Sequence, residues 1–255
     1  MTALVVLLAA AVVSAPESID ALQKELASRR AHIGVVEARF THEHVTPDDV
    51  LRSTGSVLYV RPRRVIFRWE MPDEMTYVAD GTELYEYDPL LEQLRILDLA
   101  GDPEAEALFF GFEDDLSRLR KAYDLELIKP GDVPGASVGL QLRPKPREDD
   151  AEDAPPPLFE WVKLYLRSKD LLPCRVEILN NTDSHVVMCF ADVRAKATID
   201  EPKRTELHVP AGTTVVHDEE RSETVGEGGK IVLKALDPWI PKTPPAATED
   251  SAANQ

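Results

Sequence analysis

The 255-residue sequence predicts a mainly β protein: a large antiparallel sheet curled into a half-open β-barrel, with a lid of about three short α-helices. Three observations lead there. Short segments of branched and aromatic residues follow one another with turn residues between them, the pattern of an antiparallel meander rather than of βαβ units. More than eight such strands are legible, whereas the helical segments are few and short. The strands also carry apolar residues on both faces, where a sheet solvated on one side would alternate more cleanly.

The elements follow in chain order. "MTALVVLLAAAVVSA" is an apolar run ending in Val13-Ser14-Ala15, a small-x-small pattern, so residues 1–15 read as a signal peptide cleaved near Ala15. The run is too short to span a bilayer comfortably, and no later stretch approaches that length. Ser18 is placed to cap a helix in which Ile19, Leu22, Leu26 and Ile33 recur at helical spacing. Arg29 and Arg30 fall near its C-terminal end, where cations suit the dipole, and Gly34 closes it. Six strands are then expected, from "VVEARFTHEHV" to "QLRILDL", with Asp80-Gly81 marking a hairpin.

A helical interlude follows. Asp102 is placed as an N-cap with Pro103 at the first helical position and Gly111 as the stop. A second short helix has Phe112, Leu116, Leu119 and Tyr123 near one face, acids early and bases late. Strands resume with "YDLELIKP" and "ASVGLQLRP". Residues 145–157, "KPREDDAEDAPPP", read as a mobile acidic loop, and "LFEWVKLYLR", "LPCRVEIL" and "HVVMCFADV" as three more strands. One domain is expected over 16–218, with 219–255 a loosely held acidic and Pro/Ala-rich tail.

A net charge of −17 argues against nucleic acid as a partner and against static adsorption to an anionic membrane. The stretch "SVLYVRPRRVIFRWEMP" (56–72) therefore stands out for its four arginines. Side chains alternate along a strand, so Val57, Tyr59 and Arg61 share one face, as do Val65, Phe67 and Trp69. Either both faces are packed or the concave one lines an apolar cavity. Periodicity does not separate the two.

The order Gly55, Leu58-x-Val60-Arg61-Pro62, Phe67-Arg68-Trp69 and Val78-x-Asp80-Gly81-x-x-Leu84-Tyr85-x-Tyr87-Asp88 resembles the periplasmic outer-membrane lipoprotein carrier family (LolA). "VEARFTHEH" is similar to that family's first strand and "LHVPAGTTVV" to its closing Pro-x-Gly segment, so the resemblance runs over roughly residues 18 to 218. It departs in having four residues, "RRVI", between the Arg-Pro pair and Phe-x-Trp where the family has two, and in the acidic insert and the tail.

The resemblance implies an eleven-stranded half-open barrel with a helical lid and an apolar interior. It implies a soluble, monomeric periplasmic chaperone without cofactor or catalysis. Such a carrier takes acylated lipoproteins from an inner-membrane lipoprotein-releasing ABC transporter to an outer-membrane acceptor. Phe40, Val57, Tyr59, Phe67, Trp69 and Leu84 are then the acyl-chain cavity. Leu108, Phe109, Phe110, Leu116 and Leu119 are lid contacts, and Arg61, matching the family's Arg-Pro arginine, is a latch that hydrogen-bonds the lid backbone. A lipid- or lipoprotein-sensing envelope regulator on the same fold is the alternative.

Magnitudes constrain the carrier. Burying every methylene of a triacylated cargo, about 40 at about 0.8 kcal/mol each, would contribute roughly 30 kcal/mol, beyond the ceiling of about 20 for non-covalent binding. Either the chains are partly covered or they must displace an apolar lid.

Two further constellations carry less. A turn at Asn181-Thr182 would set Cys174 opposite Cys189, leaving a disulfide or two buried free thiols open. His42 and His44 share a strand face, but catalytic zinc wants a third protein ligand, so no metal site is expected.

Overall fold

A computed structural model describes residues 16–99, 109, 111–146, 157, 159–217, 221–236 and 239. The signal peptide, Leu108, Phe110 and most of the 145–157 insert lie outside the described residues.

Helix α1 (Ile19–Arg30) starts at Ser18, whose hydroxyl accepts from the Ala21 N–H at 3.1 Å, and ends at Arg30, short of Ile33. A first meander follows: β1 (Val35–Val45), β2 (Val50–Val60), β3 (Arg64–Met71), β4 (Met75–Ala79), β5 (Glu83–Asp88) and β6 (Gln93–Asp98). The short α2 (Ser117–Ala122) leads into a second: β7 (Tyr123–Ile128), β8 (Ala136–Pro144), β9 (Phe159–Arg167), β10 (Pro173–Asn180) and β11 (His185–Lys196). After a 3-10 turn at Pro202–Thr205 come β12 (Leu207–Val209), β13 (Thr214–His217), β14 (Arg221–Thr224) and β15 (Lys230–Leu233).

Thirteen strands form one sheet, β14-β13-β6-β5-β4-β3-β2-β1-β11-β10-β9-β8-β7, and β12 pairs with β15. Antiparallel pairing of β1 with β11 joins the two meanders. With β14 and β7 as free edges the sheet does not close. It curls, because side chains of β3 and β4 face those of β10 and β11 across one cavity. The described residues hold two α-helices, the second one and a half turns long; the lid helix expected from Asp102 to Gly111 lies mostly outside the described residues. Residues 112–116 are irregular, since their polar groups are taken up by side chains of neighbouring elements.

Both explanations of the two-faced strands hold at once. On the outer face Val35, Leu58, Val60, Ile66 and Leu94 pack against Ile199, Leu207, Val209, Val225 and Leu233 of the C-terminal segment. Residues 221–236, expected as a loose tail, are therefore ordered as β14, β15 and their flanks. Their few apolar side chains meet the second apolar sheet face, whose covering layer sequence periodicity does not reveal. On the inner face Val36, Phe40, Val57, Tyr59 and Val65 form a second cluster, and α1 and α2 cover a third over β7–β9.

The cysteine register is a correction. The β10–β11 turn has three residues, Asn181 to Asp183, with Asp183 at φ 55° and the Asn180 N–H donating to the Ser184 carbonyl. One extra turn residue shifts the pairing by one. Cys189 thus lies opposite Arg175, and Cys174 sits at a bulge against β9. Both thiols are free. Cys174 Sγ donates to the Tyr165 carbonyl at 3.3 Å, and Cys189 Sγ accepts from Arg175 at 3.9 Å. Denatured without reductant, the protein should take up two alkylating groups per chain by intact mass. A chain that alkylates only after reduction would refute this register.

Candidate binding site

The concave face holds a cavity of about 310 Å³. Its wall is built from rows of paired residues. Phe190, Phe40, Gly55 and Trp69 lie side by side across β11, β1, β2 and β3. Gly55 is a requirement of this row: a Cβ there would stand 2.1 Å from the Arg68 carbonyl oxygen and 2.6 Å from the Phe40 ring. Its absence lets the Phe40 ring meet Trp69 edge-on at 4.8 Å. The opposite wall is aliphatic, from Val176, Ile178, Val186 and Met188.

Of the sequence-predicted wall residues, Phe67 and Trp69 line the cavity directly. Phe40, Val57 and Tyr59 are buried in the cluster behind it, and Leu84 is half-buried against that cluster. Among the lid residues, Phe109 joins the same cluster, whereas Leu116 and Leu119 pack with Leu22, Leu26, Leu140 and Leu164 beneath α1. The residue that closes the cavity is Phe112. It lines the space, stacks on Tyr59 at 5.6 Å and meets Phe190 edge-on at 5.9 Å. The sequence places Phe112 on an apolar helix face, and no spacing signal separates a plug from a packing residue there.

Among the described residues, 112–116 pair with no strand, so their polar groups need partners from elsewhere. Arginines and Gln23 supply several of them. Arg61 Nε donates to the Ile33 carbonyl at 2.6 Å and Nη2 to the Arg30 carbonyl at 3.3 Å, at the end of α1. The same guanidinium pairs with Asp114 at 3.0 and 3.1 Å and lies 5.1 Å from the Trp239 ring. Arg63 pairs with Glu113 at 2.9 Å and sits 4.2 Å over the Phe109 ring. Arg30 is 1 % exposed and donates to the carbonyls of Glu113, Asp170 and Leu171. Burial draws its pKa down to about 10, so it stays charged at neutral pH. Gln23 closes the collar, donating to the Asp114 carbonyl at 2.7 Å and accepting from the Leu116 N–H at 2.6 Å.

The remaining arginines of 56–72 point the other way. Arg64 donates to the carbonyls of Thr205 and Lys234, and Arg68 to that of Arg204, tying down the outer layer. Arg30 is the anchor that the sequence reading assigned only to the helix dipole. Its signal was present: Leu22, Leu26 and Arg30 stand at i, i+4 and i+8 on one buried stripe.

His42 and His44 lie with ring centroids 6.5 Å apart. Among the described residues no three His, Cys, Asp or Glu side chains gather that could hold a metal. His42 lines the cavity and packs edge-on against Trp69 at 4.8 Å.

With this geometry in place, comparison with known proteins gives the relationship. The model of the family described as Outer membrane lipoprotein carrier protein LolA matches residues 31–203. The chain belongs to the LolA family. A protein of Bordetella avium named outer-membrane lipoprotein carrier protein is 29% identical over 206 residues, covering 77% of this chain and 88% of that one. Its namesake from Bordetella pertussis is 29% identical over 185 residues, covering 70% and 79%. Among solved structures, an uncharacterized conserved protein from Thermus thermophilus aligns with a TM-score of 0.47 at 14% identity, covering 79% of this chain and 99% of that one. No described helix is long and apolar enough to cross a membrane.

Two outcomes follow. Arg61→Leu removes the donors to two carbonyls and strands Asp114, which is one-quarter exposed. The expected loss is about 1–3 kcal/mol in denaturant unfolding, with faster amide exchange in 112–116 than in the sheet. Wild-type stability and exchange would make Arg61 an ordinary strand-end residue. Second, burial and then the neighbouring His44 lower the pKa of His42. The unfolded chain therefore takes the proton first. Stability is complete above the unfolded value of about 6.5 and is lost as pH falls through it toward the depressed folded value. His42→Phe should shrink the drop in Tm between about pH 7.5 and pH 5.5; an equal drop in both proteins would contradict this.

Proposed function

We propose that this protein is a periplasmic carrier that takes up acyl chains of lipoproteins in the cavity under Phe112 and delivers them between membranes. The observation that carries this reading is a mostly apolar space closed by Phe112, on a stretch held in place by Arg30, Arg61 and Arg63. Family membership and the names of the Bordetella relatives support it. No step in this function requires bond-making. Phe40, Val57, Tyr59 and Leu84 back the cavity wall formed by Phe67 and Trp69, and Arg61 serves as the latch.

Size fits reversible binding. A cavity of about 310 Å³ is at the small end of ligand sites, which run from about 300 to 1,000 Å³. It accepts part of one chain while Phe112 stays in place. Burying about ten methylenes contributes about 8 kcal/mol, near micromolar affinity. Deeper entry displaces Phe112 and Phe109, and the loss of their contacts offsets the added burial. Release therefore needs no covalent step.

Incubation with inner membranes carrying a triacylated lipoprotein should yield a soluble complex of cargo and carrier. Absence of solubilised cargo at every ratio would remove the reading, and the partner transporter and acceptor with it. Phe112→Ala should bind a single-chain amphiphile up to about tenfold more tightly while unfolding about 2–4 kcal/mol more easily, read by fluorescence titration and denaturant melts. Weaker binding in that variant would mean that Phe112 is wall rather than plug.

A further inference from the structure

Trp239 stands beside the lid clamp, although the chain that carries it belongs to the outer layer. The Arg61 guanidinium lies over its ring, 5.1 Å from the centroid. The indole also presses on the turn between α1 and β1, so closely that a Cβ on Gly34 would stand 2.6 Å from its Cε3 atom. Gly34 is part of the clamp: its carbonyl accepts from the Arg61 backbone N–H at 2.9 Å, and the neighbouring Ile33 carbonyl accepts from Nε of the same arginine. Trp239 is half-buried in this place and is not among the residues lining the cavity.

The strap that brings Trp239 here is tied to the sheet next to the lid arginines. Arg64 donates to the Lys234 carbonyl at 2.7 Å and to the Thr205 carbonyl at 3.2 Å. The Thr205 hydroxyl accepts from the Leu236 N–H at 2.9 Å, and Leu233 and Leu236 pack into the outer apolar cluster. One short connection between β2 and β3 and its first strand residue therefore hold both layers: Arg61 and Arg63 grip the lid segment, and Arg64 grips the strap. The strap lies C-terminal to residues 31–203, the part of the chain that the family model matches.

The Arg61–Asp114 pair is only partly covered, at 14% and 25% exposure. An ion pair strengthens as water is kept from it, and the face of an indole attracts a guanidinium directly. We propose that Trp239 is a second latch on the lid, a positioning residue that shields the Arg61–Asp114 pair and through it holds Phe112 over the cavity. The contact is autoinhibitory: the closed lid is favoured while the strap is seated. Lifting Trp239 off Arg61 loosens residues 112–116 from outside the barrel, with no ligand yet in the cavity. The latch itself stands on these contacts, and its effect on uptake rests on the carrier reading.

The test compares amide exchange in the full-length wild type, in Trp239→Ala and in Trp239→Phe, each with Arg61 present and with Arg61→Leu. Trp239→Ala should speed exchange in 112–116 roughly three- to tenfold while β8 and β9 keep wild-type protection. Trp239→Phe keeps a ring that binds a cation less well, so its exchange should fall between the two, and it serves alone if Trp239→Ala fails to fold. With Arg61→Leu in place, Trp239→Ala should add little, because both changes disable one interaction. Unchanged exchange, a loss of protection spread over the whole sheet, or additive effects in the double variant would each overturn the latch. In a second measurement 1-monopalmitoylglycerol, below its micelle concentration, competes with an apolar fluorophore. Trp239→Ala should bind it roughly three- to tenfold more tightly, since more of the protein is open. Faster exchange with wild-type affinity would overturn the link from latch to cavity. Faster exchange with no displacement of the fluorophore from either protein would remove the carrier reading and leave the latch, whereas displacement with unchanged exchange would do the reverse.

Discussion

The structure depends on guanidinium groups fixed to ordered elements holding an irregular segment by its carbonyls and carboxylates. Residues 112–116 have neither a ladder nor a full helix to satisfy them, yet they carry Phe112 onto the cavity. Hydrophobic burial alone would draw Phe109 and Phe112 inward without setting their depth, because it has no direction. Arg30, Arg61 and Arg63 supply the direction. Their donors meet Glu113 and Asp114 from α1 and from the β2–β3 connection. A partner that offers the same rings an apolar surface competes with packing contacts, and water replaces the polar ones as they part. On the carrier function proposed above, the clamp is a closed resting state that would open without rupturing the sheet.

The second constraint is that one sheet serves two layers. In β2 and β3 the odd-numbered positions Val57, Tyr59, Val65, Phe67 and Trp69 face inward, and Leu58, Val60 and Ile66 face the C-terminal layer. The arginines obey the same parity. Arg61 and Arg63 serve the lid, while Arg64 and Arg68 reach the carbonyls of the outer segment. The outer layer lets the inner face remain partly hollow, since the strands that line the cavity gain their burial on the reverse side. A sheet solvated outside would have to fill its concave side to be stable.

Much of this was legible before the fold was known. Strand content, the Ser18 cap, the cavity-side parity of Phe67 and Trp69 and the family resemblance all rest on local pattern, which survives folding because each strand is long enough to impose its alternation. Other features were not. The Cys174–Cys189 pairing failed on one residue of turn length, and a register is a global consequence of that local choice. Arg30 sat on the apolar stripe of α1 and was assigned to the helix end. Both positions suit a cation, and only the carbonyls gathered around it separate them. The strands at 221–224 and 230–233 were missed because their order comes from the surface they cover rather than from their own composition.

By itself the sequence determined the alternation of faces, the helix cap and the family, because these follow from residue type and spacing along one chain. The tertiary structure alone decided which buried side chains enclose space and which fill it. That distinction separates Phe112 from Leu119, and Trp69 from Tyr59. Each member of these pairs is apolar or aromatic at a suitable spacing; whether it borders a void depends on how far β3 and β4 curl toward β10 and β11, a distance set by contacts among residues remote in the chain.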